Sequence, residues 1–118
     1  MLAPTLTAHT DLHRHHVAVA VTGPLATVDH AAALATACLP LPPTYGLLVN
    51  LSSITILTEA GMNGLRDLAK RVTASGHQIA FVCSELIMRA ELILGDLDMF
   101  APVLQADEQA LPLVGYAA

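Results

Sequence analysis

Apolar and polar residues follow each other along the chain in patterns that predict five β-strands. Residues 17–22 alternate β-branched and small side chains before Gly23-Pro24, which predicts a strand that runs into a turn. Residues 45–51 are almost continuously apolar, as expected of a strand covered on both faces. The other predicted strands are a buried one over 78–83, a short one over 102–104, and an edge strand over 4–11 that pairs with 17–22 through a turn at 13–15.

The clearest helical pattern covers residues 61–75. Its apolar side chains recur at i, i+3, i+4 and i+7 and predict one buried face, formed by Met62, Leu65, Leu68, Ala69 and Val72. The opposite side is expected to carry the charged residues Arg66, Asp67, Lys70 and Arg71. Gly76 is typical of the residue that ends a helix.

Three further helices are predicted from capping residues and apolar periodicity. They are 31–39 after Thr27 or Asp29, a helix from Ser84 or Glu85 to Leu94, and 108–114 after Asp107. Single helices therefore join successive strands in the order β-β-α-β-α-β-α-β-α. This order predicts an α/β fold with a mostly parallel sheet of five strands and four helices. The length of 118 residues predicts a single domain over 1–118.

Composition and charge exclude several classes of function. The formal net charge is -5, with 10 acidic and 5 basic residues, and the chain lacks the basic stripe of a nucleic-acid-binding protein. No apolar run approaches the length of about 18 residues that spans a membrane. The N-terminus lacks the pattern of a secretory signal, so a cytoplasmic protein is expected. Cys38 and Cys83, both in apolar surroundings, are expected to be buried thiols and not a disulfide.

Candidate chemistry is sparse. His13, His15 and His16 lie close together, and His13 and His15 would share a face if they belonged to a strand. No cysteine or second histidine pair at ligand spacing accompanies them, so a solvated turn is expected there and no metal site. Phosphate-binding, dinucleotide-binding and serine-nucleophile motifs are also missing. The sequence therefore predicts no enzyme and no cofactor.

The stretch Ile-Leu-Thr-Glu-Ala-Gly-Met, residues 56–62, places a carboxylate where a strand passes into a helix. Thr58 is expected to cap the helix, because its hydroxyl can accept a hydrogen bond from a free backbone N–H of the first turn. Glu59 then lies near the positive end of the helix dipole, which stabilises a carboxylate by about 0.3–1 kcal/mol. The stability of the helix is thus by itself a sufficient explanation for a glutamate at position 59.

Three stretches together resemble the STAS domain: VAVAVTGPLATVDHAAAL, GLLVNLSSITILTEAGMNGL and SGHQIAFVCSELIMRAELILGDLDMFAPVLQADEQAL. They are most similar to the single-domain anti-sigma factor antagonists of bacterial partner-switching systems. The resemblance covers residues 5–114 and implies a STAS-type mixed, mostly parallel sheet. It also implies that the chain is a protein-interaction regulator of transcription. Its partner would be an anti-sigma factor or a protein resembling a serine kinase.

The resemblance also implies a partner-binding surface and a phosphorylation switch. In this family the helix begins with Asp-Ser-Ser/Thr-Gly, and a kinase that is also the anti-sigma factor phosphorylates the first serine. By position, Thr58 replaces the aspartate and Glu59 the phosphorylated serine, while Gly61 is retained. The family's Gly-Glu-Leu-Asp turn has lost both of its acids here. The surface implied by position comprises Gly23, Pro24, Ala26, Asn50, Thr58, Glu59, Ala60, Gly61, Met62 and Asn63.

Glutamate cannot accept a phosphoryl group from such a kinase, and it carries one negative charge where phosphoserine carries about 1.5 to 2. Three interpretations follow: a permanently phosphorylated-like state, a partner bound through the same surface without a switch, or Thr58 as a displaced phosphoacceptor. The second is favoured, because both acids of the turn are also missing. If Glu59 is only structural, binding through the third helix, near Met88 and Met99, is the alternative.

Two other functions are compatible with a STAS-like sequence. One is an accessory subunit of a transport or sensory complex. The other is a small-molecule sensor, for which the start of the second helix would be the site, although Glu59 would repel an anion there. A homodimer through the first strand or the alanine-rich first helix is a further possibility that the sequence leaves open.

Overall fold

The computed structural model describes residues 3–114, so residues 1–2 and 115–118 of the expected domain lie outside it. One five-stranded sheet has the order β1-β2-β3-β4-β5. The strands are β1 (Thr5–Asp11), β2 (His16–Leu25), β3 (Gly46–Leu57), β4 (Ile79–Val82) and β5 (Val103–Leu104). The helices are α1 (Val28–Cys38), α2 (Glu59–Ala74), α3 (Leu86–Leu94) and α4 (Asp107–Val114), and a 3₁₀ turn (Leu97–Met99) follows α3.

The sheet is antiparallel only between β1 and β2 and parallel elsewhere. A short turn joins β1 to β2, whereas each later strand is reached through a helix. These connections dictate the two kinds of pairing, since a tight turn reverses the chain and a helical crossover returns it to the same end. The predicted α/β fold with a mostly parallel sheet is therefore confirmed.

Two strands are longer than predicted. β2 continues through Gly23-Pro24 to Leu25, and β3 continues from Leu51 to Leu57, where the two extensions pair. The predicted turn at Gly23-Pro24 is therefore wrong. Gly23 takes a φ of 102° between two register shifts, a conformation that glycine adopts without strain. Proline has no N–H to donate to a neighbouring strand. Because Pro24 lies beyond the end of β1, this causes no loss of a hydrogen bond to β1.

Three helices are capped by expected residues, whereas Asp107, the predicted cap of the last helix, is instead the first residue of α4. The Thr27 side chain accepts a hydrogen bond from the backbone N–H of His30 and caps α1. The Glu85 carboxylate caps α3 by accepting from the N–H groups of Ile87 and Met88. Thr58 caps α2, which begins at Glu59 and not at Gly61 as the periodicity suggested. The first turn carries no apolar repeat, and the cap alone marks where the helix starts.

The sheet separates two apolar layers. Between it and helices α1, α2 and α3 lies the larger core, which includes every predicted apolar residue of α2. Between its other face and α4 lies a smaller cluster of Leu48, Ala80, Val82, Ala110 and Val114. Alternation along β3 thus points Leu47, Val49 and Leu51 to the larger core and Leu48 to α4.

Both cysteines are free and buried. Burial raises the pKa of the Cys38 thiol to about 12 and also raises the pKa of Cys83. The thiolate forms, which react with disulfides and bind metals, are therefore suppressed. Over the described residues, no group of three histidine, cysteine or carboxylate side chains could hold a metal ion, and no helix is both long and apolar enough to cross a membrane.

The three histidines near the β1–β2 turn lie in different environments. His13 is exposed in the turn, and His15, with a φ of 56°, stacks on the ring of Tyr45 at a centroid distance of 5.0 Å. His16 opens β2 and is only 6% exposed. Its Nδ1 atom has no hydrogen-bond partner among the described residues.

The burial of His16 is expected to make the stability of the protein depend on pH. Burial lowers its pKa; the Asp11 carboxylate opposes this shift, and the charges of His9 and Arg14 add to it. The unfolded chain takes up a proton on this histidine near pH 6.5, and the folded chain does so only at lower pH. The free energy of unfolding is therefore expected to fall as the pH drops from about 6.5 toward the folded pKa.

Urea unfolding of the wild type and of His16→Leu at about pH 7.5 and about pH 5.5 measures this contribution. The wild type should lose more stability on acidification than His16→Leu does. His13→Leu, a control at an exposed position, should keep the wild-type dependence. Identical pH dependence of the wild type and His16→Leu would rule out His16 as its source.

Candidate functional site

The start of α2 is held against the end of β2. The Thr58 N–H donates a hydrogen bond to the Leu25 carbonyl at 3.3 Å. Gly61, in the first turn of α2, packs so closely on the same carbonyl that a Cβ atom at this position would overlap its oxygen. The retained glycine therefore has a physical reason, since it lets the first turn of a helix approach the backbone of a strand.

The Thr58 hydroxyl makes two hydrogen bonds. It donates to the carbonyl of Ala26 at 2.7 Å and accepts from the N–H of Gly61 at 3.3 Å. The first bond connects α2 to the residue after β2, and the second caps α2. The side chain is half-buried. Phosphorylation of this oxygen would break the bond to Ala26, because a phosphate ester has no proton to donate there.

Glu59 is exposed but not free. One carboxylate oxygen lies 3.3 Å from both terminal nitrogens of Arg66, and the two side chains are 77% and 22% exposed, respectively. Arg66 is itself anchored, since its Nε donates to the carbonyl of Gly95 at 2.9 Å and one terminal nitrogen donates to the side-chain oxygen of Asn63. An ion pair this exposed contributes only about 0–1 kcal/mol to stability. Its main effect is to hold Glu59 in place and to offset its charge.

The remaining residues of the predicted α2 segment have different environments. Ala60 is half-buried and faces the groove toward Val28 and Ala31 of α1. Asn63 is exposed beside Arg66. Met62 is only 5% exposed, and its side chain packs under Gly95. The exposed and half-buried atoms of Thr58, Glu59, Ala60 and Asn63, called here the α2-start surface, are thus the part of this segment that a partner can reach.

The predicted residues of β2 and β3 are only partly brought to this surface. Ala26 reaches it through the Thr58 hydroxyl, whereas Gly23 and Pro24 pair with Ile54 and Ile56 further back along β3. Asn50 lies elsewhere. Its side chain accepts from the Ser52 N–H and donates to Asp107 at the start of α4, on the sheet face opposite to α2.

Two residues of the site were not anticipated. The sequence pattern places Arg66 on the charged side of α2, opposite the buried face, and indicates no role for the Gly95 carbonyl. Glu59 and Arg66 are seven positions apart, which places them two helical turns apart on one face. That spacing was the available signal for their pairing. The contact with Gly95 had no local signal, because 29 residues separate it from Arg66.

A shallow hollow of about 290 Å³ joins the α2-start surface to α3. It is lined by Leu57, Thr58, Glu59, Met62, Glu91, Leu94 and Gly95. The hollow holds no nucleophile paired with a base, and its carboxylates face solvent. The hollow presents one oriented negative charge beside an exposed leucine. This arrangement suits recognition of another protein surface better than it suits catalysis.

No family model and no curated protein sequence matches the chain. Among the solved structures that match its fold is an anti-sigma factor antagonist from Mycobacterium paratuberculosis, with a TM-score of 0.68, 18% identity and coverage of 92% of each chain. Another is the anti-sigma factor antagonist SpoIIAA in its unphosphorylated form, with a TM-score of 0.58 and 14% identity, over 92% of this chain and 96% of SpoIIAA. The chain therefore has the STAS-type α/β fold of these anti-sigma factor antagonists, as the resemblance of its sequence predicted.

Proposed function

We propose that this single STAS-type domain is a cytoplasmic protein-interaction regulator that binds an anti-sigma factor, or a related serine-kinase-like protein, and so controls sigma factor-dependent transcription. The partner binds at the α2-start surface. No phosphorylation of residue 59 controls the interaction. The observation that carries the proposal is the pairing of Glu59 with Arg66, which offsets the charge of Glu59 at the start of α2 in a fold shared with anti-sigma factor antagonists.

The Glu59–Arg66 pair supports a binding-competent protein over one locked in a phosphorylated-like state. A phosphoserine would bring about 1.5 to 2 negative charges, whereas Glu59 brings one, which the guanidinium of its own chain offsets. A partner therefore meets much less negative charge at this position than a phosphorylated antagonist would present. The Thr58 hydroxyl, occupied by its two hydrogen bonds, also makes a poor phosphoacceptor.

The test is affinity capture from the native host with tagged wild type, Glu59→Gln and Glu59→Ser, followed by identification of the captured proteins by mass spectrometry. Glu108→Gln is the matched control, because it removes an exposed carboxylate from the first turn of α4. We expect the wild type to capture an anti-sigma factor or a serine kinase of that type. Both Glu59 variants should capture it within about threefold of the wild type, a change of less than 1 kcal/mol.

Two results would contradict the proposal. Capture by Glu59→Gln and Glu59→Ser, but not by wild type, would mean that Glu59 imitates the phosphorylated state. Capture of no such protein by any of the variants would remove partner switching as the function. Incubating the identified kinase with radiolabelled ATP and wild type should leave residue 58 unlabelled, so label that disappears in Thr58→Ala would restore Thr58 as the acceptor.

A further inference from the structure

The outward side of α3 is apolar. Leu86, Ile87, Ala90, Ile93 and Leu94, called here the α3 outer face, recur at i, i+1, i+4, i+7 and i+8 and so form one continuous stripe. The four large side chains are 68%, 69%, 42% and 83% exposed in sequence order. Of α3, only Leu92 is buried, on the other side of the helix. The helix is therefore apolar on both sides although only one faces the core.

This concentration of exposed apolar side chains is local. Together with Met99, which is 77% exposed, the segment 86–99 holds five of the nine large apolar residues that are exposed among those described. Single exposed leucines are ordinary on protein surfaces, but a contiguous stripe of them marks an interaction surface. The stability of the fold does not explain this exposed stripe, because polar residues at the same positions would leave the buried side of α3 unchanged.

The charges around the α3 outer face identify what kind of partner fits it. The segment 84–100 contains Glu85, Glu91, Asp96 and Asp98 but only one basic residue, Arg89, so it carries -3 of the chain's net charge of -5. Arg89 is half-buried and donates to the carbonyl of Cys83. The four carboxylates are exposed. An apolar stripe flanked by carboxylates complements an apolar stripe flanked by lysine and arginine.

The same charges argue against two other occupants. A second copy of this chain placed on the stripe would bring two acidic borders together, which is repulsive. A membrane surface rich in anionic lipid would be repelled for the same reason. An amphipathic helix with a basic border avoids both problems and matches the dimensions of a stripe that runs along one helix.

We propose that the α3 outer face is a docking surface for a cationic amphipathic helix of a partner protein. Leucine-like side chains of that helix cover Leu86 and Leu94, and its basic residues lie against Glu85 and Glu91. Because Leu94 also lines the hollow beside Glu59, a partner could occupy both surfaces at once. The proposal rests on α3 alone and does not require that the α2-start surface binds an anti-sigma factor.

The test uses a fluorescein-labelled synthetic peptide of about 18 residues, or about five helical turns. Leucines form one face of the peptide and lysines flank them. A second peptide has the same leucines flanked by glutamates. Fluorescence anisotropy should show that wild type binds the lysine peptide with a Kd in the range of about 10 µM and the glutamate peptide at least about tenfold more weakly.

Variants then separate apolar contact from charge. The double variant Leu86→Glu/Leu94→Glu should weaken binding of the lysine peptide by about tenfold or more, since each leucine contributes apolar area. Glu91→Lys should weaken it by about threefold and strengthen binding of the glutamate peptide. Leu12→Glu is the matched control. Leu12 is 73% exposed, in the β1–β2 turn at the opposite end of the parallel strands, and this variant should bind like wild type.

Lysine-peptide binding that survives the double variant, or that Leu12→Glu weakens equally, would overturn the proposal. So would sedimentation that shows a wild-type dimer and a monomeric Leu94→Glu, because the stripe would then be covered by a second copy. Binding of wild type to vesicles of phosphatidylcholine and phosphatidylglycerol, lost in Leu94→Glu, would assign the stripe to a lipid surface instead. None of these results depends on Glu59, so they can be told apart from failure of the proposed function.

Discussion

Replacing Gly61 with alanine is expected to destabilise the protein by about 3 kcal/mol, near the upper end for inserting one methyl group into a packed site. The added carbon would overlap the Leu25 carbonyl oxygen, and neither this strand backbone nor the first turn of α2 can yield without loss of hydrogen bonds. Alanine otherwise favours helices over glycine by about 1 kcal/mol. The cost of the overlap with the Leu25 carbonyl must therefore exceed the gain in helix propensity. The measurement is the urea midpoint of unfolding with the slope checked for constancy.

Gly95→Ala is the control for this interpretation. Its added carbon would also meet a neighbouring atom, but that neighbour is the end of the flexible Met62 side chain. Gly95 has a φ of -82°, which any residue adopts. The loss should stay within about 1 kcal/mol, because methionine can move aside. If Gly61→Ala were no more destabilising than Gly95→Ala, the close approach of α2 to β2 would not exist as described.

Replacing Thr58 with valine is expected to destabilise the protein by about 2 kcal/mol. Valine has nearly the same shape but no hydroxyl, so α2 loses its cap and the Ala26 carbonyl loses its donor. Thr58→Ser keeps the hydroxyl and should remain within about 0.5 kcal/mol of wild type. Urea unfolding of the three proteins measures both effects.

Amide hydrogen exchange gives the same prediction a local readout. The N–H of Gly61 should exchange faster in Thr58→Val than in wild type, because its acceptor is the Thr58 hydroxyl. Equal stability of Thr58→Val and Thr58→Ser would mean that the hydroxyl does not hold α2 to the end of β2. The reason for regarding Thr58 as an unsuitable phosphoacceptor would then be lost.

Most of the fold could be predicted from the sequence, because its signals are local. The five apolar runs, the i, i+3, i+4, i+7 face of α2 and the caps Thr27, Thr58 and Glu85 each depend on residues within a few positions of one another. The alternation of strands and helices then leaves few possible arrangements, since parallel crossovers follow one handedness.

The site depended on contacts that no short stretch of sequence contains. The extensions of β2 and β3 exist because each supplies the other's hydrogen bonds, across some 30 residues of chain. Arg66 is held beside Glu59 because it also donates a hydrogen bond to the Gly95 carbonyl. Without that contact, Arg66 would be expected to point into solvent. Likewise, Asn50 faces α4 because strand side chains alternate, which separates it from α2 on the other side of the sheet.

The sequence by itself determined the order and type of the elements, the buried face of α2 and the carboxylate at its start. Those features follow from backbone geometry and from apolar periodicity along a continuous segment. Only the tertiary structure decided that Gly61 is in contact with Leu25, that Glu59 is paired, and that the apolar side of α3 is left uncovered. Each of these depends on which surfaces meet when the helices pack on the sheet, and packing is set by the whole chain at once.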